Sequence, residues 1–267
     1  MNHQPRKRFG QNFLHDAGVL QRMLNAIRPK QQDAMVEIGP GEGALTTLLL
    51  QHLRQLDVIE IDRDLAPELL GRCQSKAGEA TLGKLTIHQA DALQFDFSSL
   101  IPAQGTLRVV GNLPYNISTP LLFHIFEYAD SIKDCHFLLQ KEVVERMAAA
   151  PNSKTYGRLS VMTQWRCQVE PLFKVGPGAF RPAPKVDSMF VRLIPHLTPP
   201  WPVDDFQQFS ALVSLAFAQR RKTLRNALQS MASTETMAAA GIDPSARAET
   251  LSPALFAHLS NAIARSV

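Results

Sequence analysis

The chain reads as an α/β protein: a parallel, doubly wound sheet followed by a helical C-terminal part. Three observations predict this. Short apolar runs alternate with helical patterns from Ala34 to about Ala149. Pro195, Pro199, Pro200 and Pro202 then crowd a stretch that can be neither a regular helix nor a central strand. Beyond them, apolar residues recur at helical spacing almost to the last residue.

The elements follow in order. Ala34 to Gly39 is a buried strand ending in glycine, and Gly43 to Leu53 is helical. Leu56 to Asp62 is a second strand, and Asp64 can cap the helix after it. Gly71 to Lys84 is loop-like. Leu85 to Asp91 is a third strand, and Leu107 to Gly111 a fourth. Thr119 to Tyr128 is apolar at helical spacing. His136 to Gln140 is a fifth strand, followed by a helix from Lys141 to about Ala149. Segments 167–175 and 186–194 are two more strands, placing an antiparallel hairpin at the sheet edge. The proline stretch divides the chain into domains at 1–197 and 203–267. Helices are expected over 206–230, 233–240, 245–248 and 253–264.

Composition narrows the function classes. With 267 residues and 29.6 kDa, a chain buries roughly 70–75% of its unfolded surface and needs no metal or disulfide staple. No run of about 18 apolar residues exists, so no membrane span is expected. The basic N-terminus is not followed by an apolar signal core. Cys73, Cys135 and Cys167 form no CxxC pair, which fits a reducing cytoplasm. The eight histidines show no HExxH or HxxxH spacing, so no metal site is expected. Nothing calls for an obligate protein partner, and a monomer is expected.

Net charge is +4, but its distribution is uneven. Residues 1–30 hold Arg6, Lys7, Arg8, Arg22, Arg28 and Lys30 against Asp16 alone. Arg220, Arg221, Lys222 and Arg225 lie within six residues without an acid. Two such clusters on an otherwise neutral chain suit phosphate neutralisation, so nucleic acid is the expected partner.

EIGPGEGALT, Glu37 to Thr46, joins the first strand to its helix. Gly39, Gly41 and Gly43 allow a tight turn and close ligand approach, and the helix behind them can receive a negative group. Glu60 ends the second strand, 21 residues after Gly39, where a carboxylate would hold ribose hydroxyls. NAD and S-adenosylmethionine both carry that ribose. Glu37 separates them, since a carboxylate before the first glycine repels a pyrophosphate and attracts a cationic amino acid and sulfonium. Asp91, ending the third strand, is placed to accept from an adenine amine. Asp62 reads as a helix-start residue. S-adenosylmethionine is therefore the expected cofactor, and a nicotinamide-dependent dehydrogenase is remote.

NLPY, Asn112 to Tyr115, follows the fourth strand. Pro114 stiffens the loop. The Asn112 side-chain oxygen and the Leu113 carbonyl can both accept from one exocyclic amine, and Tyr115 offers a face for a base. An adenine amine is a poor nucleophile because its lone pair is delocalised into the ring. Two acceptors on its hydrogens draw it towards tetrahedral geometry and localise that pair. Carbonyl dipoles and an aromatic face then stabilise the positive charge that arrives on nitrogen.

KRFGQNFL (Lys7–Leu14), EIGPGEGALT, IEID (Ile59–Asp62), QADA (Gln89–Ala92), GNLPYNIST (Gly111–Thr119), LQKEV (Leu139–Val143), FRPAPKVDS (Phe180–Ser188) and AFAQRRKTLRN (Ala216–Asn226) occur in that order. Together they resemble the ribosomal RNA adenine dimethyltransferases over essentially the whole chain, most closely the bacterial small-subunit branch, whose loss confers kasugamycin resistance. The resemblance implies a Rossmann-like S-adenosylmethionine-dependent methyltransferase sheet, mostly parallel with one antiparallel strand, plus a small all-helical C-terminal domain that binds RNA. It implies dimethylation of the 6-amino groups of two adjacent adenines near the 3′ end of 16S rRNA in the small ribosomal subunit, during ribosome assembly. Asn12 and Leu14 would then border the cofactor, with Gly39, Glu60, Asp91 and Asn112 completing its site. Tyr115 and Phe180 would sandwich the target adenine, although an aromatic in a proline-rich loop reads by itself as a packing anchor. The N-terminal basic segment would be both a lid and an RNA contact. Arg221 and Arg225 would share one exposed helix face, away from the apolar stripe of Phe217, Leu224 and Leu228. Two alternatives share the fold: a resistance-type methyltransferase acting on large-subunit rRNA, and an assembly factor whose catalysis is dispensable.

Overall fold

The structure is a computed structural model that describes residues 12–77, 82–114, 116–219 and 221–266. Contacts divide the chain into two compact units, Met1–Lys141 with Glu170–Pro195, and Glu142–Val169 with His196–Val267. The expected cut at 197–203 is thus only one of the crossings: Glu142–Val169 cluster with the C-terminal helices.

The first unit is built on a seven-stranded sheet. Its strands are β2 (Ala34–Ile38), β3 (Gln55–Ile59), β4 (Lys84–His88), β5 (Leu107–Asn112), β6 (Ile132–Gln140), β7 (Cys167–Val175) and β9 (Ser188–Pro195). A two-residue strand β1 (Phe13–Leu14) pairs separately with β8 (Phe180–Arg181). The spatial order of the sheet is β4-β3-β2-β5-β6-β9-β7. The five strands from β4 to β6 are mutually parallel, and β9 runs antiparallel to β6. Strands 167–175 and 188–195 are neighbours at one side of the sheet, with β7 at the edge and β9 inside it. The chain order reverses between β2 and β5, which makes a crevice at their carboxyl ends.

The central strands β2 and β5 are nearly all buried because both of their faces are covered. Val36, Val58, Val109 and Val110 are fully buried. One face is covered by α1 (Ala17–Ile27), α2 (Ala44–Leu50) and α3 (Leu69–Ala77). Helix α1 buries Leu20, Met23, Leu24 and Ile27, the one-sided spacing of an amphipathic helix. Asp16 caps it by accepting from Val19 N at 2.8 Å. Helix α3 corrects the loop expected over Gly71–Lys84. It buries only Leu69 and Cys73, so its apolar pattern is too sparse to show. Asp62 opens the turn that leads into it: its Oδ1 accepts from Asp64 N at 3.0 Å, and the 3-10 turn that follows at Ala66–Glu68 has no side-chain cap. Helix α4 (Ser118–Phe126) lies between β5 and β6 in sequence, as expected.

The second unit is helical. It holds most of α5 (Lys141–Met147), α6 (Arg158–Arg166), α7 (Phe206–Ala218), α8 (Leu224–Ala227), α9 (Thr234–Ala239) and α10 (Pro253–Ala264). Phe209, Leu212, Val213 and Ala216 on α7 are buried, as are Phe256, Leu259 and Ile263 on α10. Trp165 stacks on Phe206, with ring centroids 5.2 Å apart. The single helix expected over 206–230 is broken. It stops at Ala218 and resumes as the one-turn α8, because Leu224 N and Arg225 N donate to the Ala246 and Pro244 carbonyls at 2.8 and 3.0 Å. Arg221 and Lys222 therefore sit in a turn, and Arg221 does not share a helix face with Arg225.

Candidate active site

Four parallel strands deliver the functional side chains to one end of the sheet. Glu37 is the penultimate residue of β2, Glu60 follows β3, Asp91 lies in the loop after β4, and Asn112 is the last residue of β5. Their carboxyl ends surround a cavity of about 290 Å³. Asn12, Leu14, Gly39, Glu60, Asp91 and Asn112 all line it, with Leu113 beside them. Every cofactor residue expected from the sequence is therefore at one cavity.

The glycine loop shapes the floor. Gly39, Gly41 and Gly43 all hold left-handed backbone, with φ of 66°, 56° and 76°. At Gly41 a Cβ would lie 2.9 Å from the Phe13 ring, so glycine also gives β1 room to lie over the loop. Gly41 N donates to Glu60 Oε2 at 3.2 Å, and Asp62 N donates to Glu60 Oε1 at 2.9 Å. Glu60 thus ties the glycine loop to the end of β3. Burial pushes its carboxyl above the ordinary range, while those N–H donors act in the opposite direction. Asp91 Oδ1 accepts from Leu93 N at 3.0 Å, which fixes the carboxylate in its turn.

Glu37 is different. It is 2% exposed, and its Oε2 has no hydrogen-bond partner among the described residues. Burial pushes its carboxyl up to about 7; the Thr46 hydroxyl opposes the rise and the charge of Glu60 adds to it. A buried carboxylate with a vacant oxygen beside a cavity calls for a cationic partner. The ammonium and sulfonium of S-adenosylmethionine supply that charge, Glu60 retains lone pairs for ribose hydroxyls, and the left-handed glycines leave backbone open to the ligand. The residues present fit that cofactor. No group of His, Cys, Asp and Glu among the described residues could hold a metal ion.

The NLPY loop rises beside the cavity. Asn112 Nδ2 donates to the Asn12 carbonyl at 2.9 Å, which orients the amide and leaves Oδ1 as its acceptor. Leu113 N donates to the Leu138 carbonyl at 3.2 Å, and the Leu113 side chain is buried. Ile117 N donates to the Pro114 carbonyl at 3.2 Å, closing the turn before α4. Tyr115 lies outside the described residues, as do Arg6, Lys7, Arg8 and Arg220.

Phe180 opens β8. It is 3% exposed and belongs to the apolar core with Leu14, Val175, Ala179 and Phe190. Its backbone pairs with Leu14, and His15 N donates to the Ala179 carbonyl at 3.0 Å. The ring packs in that core, as an aromatic in a proline-rich loop reads by itself, and it is not among the residues lining the cavity. Sequence reasoning also missed Phe13, Leu20, Met23 and Ile61 as cavity walls. The spacing of Leu20 and Met23 along α1 was a usable signal, whereas Phe13 and Ile61 gave none.

The basic residues after α7 gain neighbours in the second unit. The hydrogen bonds of Leu224 and Arg225 to Ala246 and Pro244 bring the exposed Arg247 to the same region as Arg225.

Comparison with known proteins agrees with this geometry. Residues 2–265 match the family described as ribosomal RNA adenine dimethylase. A protein of Pseudomonas savastanoi pv. phaseolicola named ribosomal RNA small subunit methyltransferase A is 54% identical over 99% of this chain and 97% of its own length. A Nitrosococcus oceani protein of the same name is 56% identical over 94% of this chain and 93% of its own. Among solved structures, a dimethyladenosine transferase from Plasmodium falciparum superposes with a TM-score of 0.77 at 26% identity, covering 92% of this chain and 95% of that one. The 23S rRNA methyltransferase ErmE superposes with a TM-score of 0.69 at 25% identity, covering 95% and 100%. From its glycine loop to its helical C-terminal part, the chain belongs to the ribosomal RNA adenine dimethylase family.

Proposed function

We infer that the protein uses S-adenosylmethionine to dimethylate the 6-amino groups of two adjacent adenines near the 3′ end of small-subunit rRNA. The observation that carries this reading is the convergence of Glu37, Glu60, Asp91 and Asn112 on one cavity beside the NLPY loop. When bound, S-adenosylmethionine supplies a methyl group made electrophilic by its sulfonium.

The chain's own residues then do the following. Glu37 draws the cationic end of the cofactor, Glu60 holds the ribose, and Asp91 accepts from the adenine amine. Asn112 Oδ1 and the Leu113 carbonyl accept the two hydrogens of the target amine, which turns its lone pair towards the cavity. Tyr115 provides the aromatic face for the base, which must leave its stack to arrive there. No strong base is required, since the alkylated cationic amine is acidic and loses its proton to water. The apolar walls from Leu14, Leu20 and Met23 keep bulk water from the reacting atoms. Arg221, Lys222, Arg225 and Arg247 bind RNA phosphates, with Arg6, Lys7, Arg8 and Arg220 adding to them. Recognition rests on RNA shape and phosphate positions more than on base readout.

The small-subunit reading is favoured over a large-subunit one by identity. Relatives named for the small subunit share 51–56% of residues over nearly full length, against 25% for the 23S rRNA enzyme. The test is incubation with labelled S-adenosylmethionine and undermethylated small or large ribosomal subunits, followed by mass spectrometric mapping. Dimethyladenosine near the 3′ end of the small-subunit RNA is expected. Label confined to the large subunit would transfer the protein to the other substrate, and binding without label would leave an assembly factor.

A further inference from the structure

The cofactor cavity has a one-sided charge. Its described lining contains four carboxylates, Glu37, Glu42, Glu60 and Asp91, and no lysine, arginine or histidine. Three of the four are engaged. Glu60 accepts from two backbone N–H groups and Asp91 from one. Glu42 faces Arg72 across 3.7 Å at the rim. Glu37, buried and with a vacant Oε2, has no compensating charge. The remaining walls are largely apolar, including Leu14, Leu20, Met23 and Ile59, so the field of these carboxylates is weakly screened.

We propose that this wall selects its ligand by formal charge, holding the sulfonium cofactor more tightly than the neutral thioether left after methyl transfer, with Glu37 as the principal determinant. The proposal rests on the methyl transfer inferred above. The two ligands share adenosine and the amino acid group, so hydrogen bonds to those parts cancel in the ratio of affinities. They differ by one methyl and one positive charge, and the charge difference survives in a water-poor acidic cavity. Transfer moves the methyl from sulfur to the amine nitrogen, and the positive charge leaves with it, finally as a proton from that nitrogen. Each turnover therefore weakens the hold on its own spent cofactor. Such a device suits an enzyme that must exchange cofactor repeatedly to place two methyls on each of two adenines.

Calorimetric titration of the full chain with S-adenosylmethionine, S-adenosylhomocysteine and sinefungin tests this. Sinefungin carries an amine-borne positive charge at the equivalent position and donates no methyl. At low salt both cationic ligands should bind about tenfold more tightly than S-adenosylhomocysteine, the scale of one partly screened unit charge. Glu37→Gln should weaken all three ligands through the ammonium they share, and should at least halve that ratio. Should the variant fail to fold, the three-ligand comparison on the unaltered chain decides alone. Equal affinities, or tighter binding of S-adenosylhomocysteine than of sinefungin, would overturn charge selection while leaving the methyl-transfer reading intact. Binding of none of the three would overturn both.

Discussion

Asn112 shows how one side chain can serve two neighbours. Its Nδ2 is committed to the Asn12 carbonyl, so its Oδ1 has a set direction before any RNA arrives. Asn112→Ala should lower the methyl-transfer rate by about 10²–10³, the usual cost of removing one preorganised polar group from a reacting centre. Cofactor affinity should change only a few-fold; single-turnover kinetics beside equilibrium binding separates the two, and equal losses would make Asn112 a cofactor ligand only. Glu37 sets a pH dependence. Without ligand its carboxyl titrates near 7, under the influence of burial, the Thr46 hydroxyl on α2 and the charge of Glu60 beyond β3. The Cys73 thiol on α3, itself pushed up first by burial, also feels the Glu37 charge. A cationic ligand favours the ionised carboxylate, so binding below pH 7 must expel a proton. Affinity for S-adenosylmethionine should fall as pH drops below 7, by up to about tenfold per unit. The fold itself responds with the opposite sign. A carboxyl raised from 4.5 to about 7 keeps its proton longer in the native state than in the unfolded chain. Rising pH through that window therefore weakens the unliganded protein, and added cofactor should restore its melting temperature.

Elements are unevenly legible in the sequence. Strands β2 and β5 are readable because both of their faces are buried, and β3 and β4 because apolar residues alternate along them; the four lead to Gly39, Asn112, Glu60 and Asp91. The residues that line the cavity at those strand ends can therefore be picked out from the sequence alone. Helix α3 is not readable, since Leu69 and Cys73 alone anchor it. The break after Ala218 is hidden as well, because Gln219 to Lys222 carries no stop signal and the turn is imposed by carbonyls some 20 residues away. The burial of Phe180 is hidden for a similar reason: it accompanies pairing with Leu14, a partner far off in sequence. Helix α1, which walls the cavity, is held at its far end by a buried charge. Arg108 on β5 donates to the Ile27 carbonyl at 2.6 Å, to Asp33 at 2.7 Å and to both oxygens of Asp134 at 2.8 and 3.0 Å. Arg108→Met would leave two carboxylates without their partner and should cost about 3–5 kcal/mol of stability, read from urea unfolding. A loss under about 1 kcal/mol would mean that solvent already compensates these groups.

At the scale of the whole molecule, the second basic cluster and the chemistry are carried by different parts of the chain. The cavity lies within the first unit, and the cluster of Arg221, Lys222, Arg225 and Arg247 lies within the second. Replacing Arg221, Arg225 and Arg247 together by Ala should weaken binding to small-subunit RNA and reduce the slope of log affinity against log salt by about 0.7–0.9 per lost phosphate contact. Cofactor affinity, measured on the same variant without RNA, should be unaltered. An unchanged salt slope would return these residues to a solvated surface. The sheet places a further limit on the sequence. Gly111 stands opposite Ile38 in the parallel ladder, and a Cβ on it would fall 2.6 Å from the Ile38 carbonyl oxygen. Gly111 thus lets β2 and β5 pair closely just before they give rise to the two loops that border the cavity. A side chain at this joint would wedge the two strands apart, so Gly111→Ala should lower the melting temperature and the cofactor affinity together, and a variant that kept both would show that the ladder gives way.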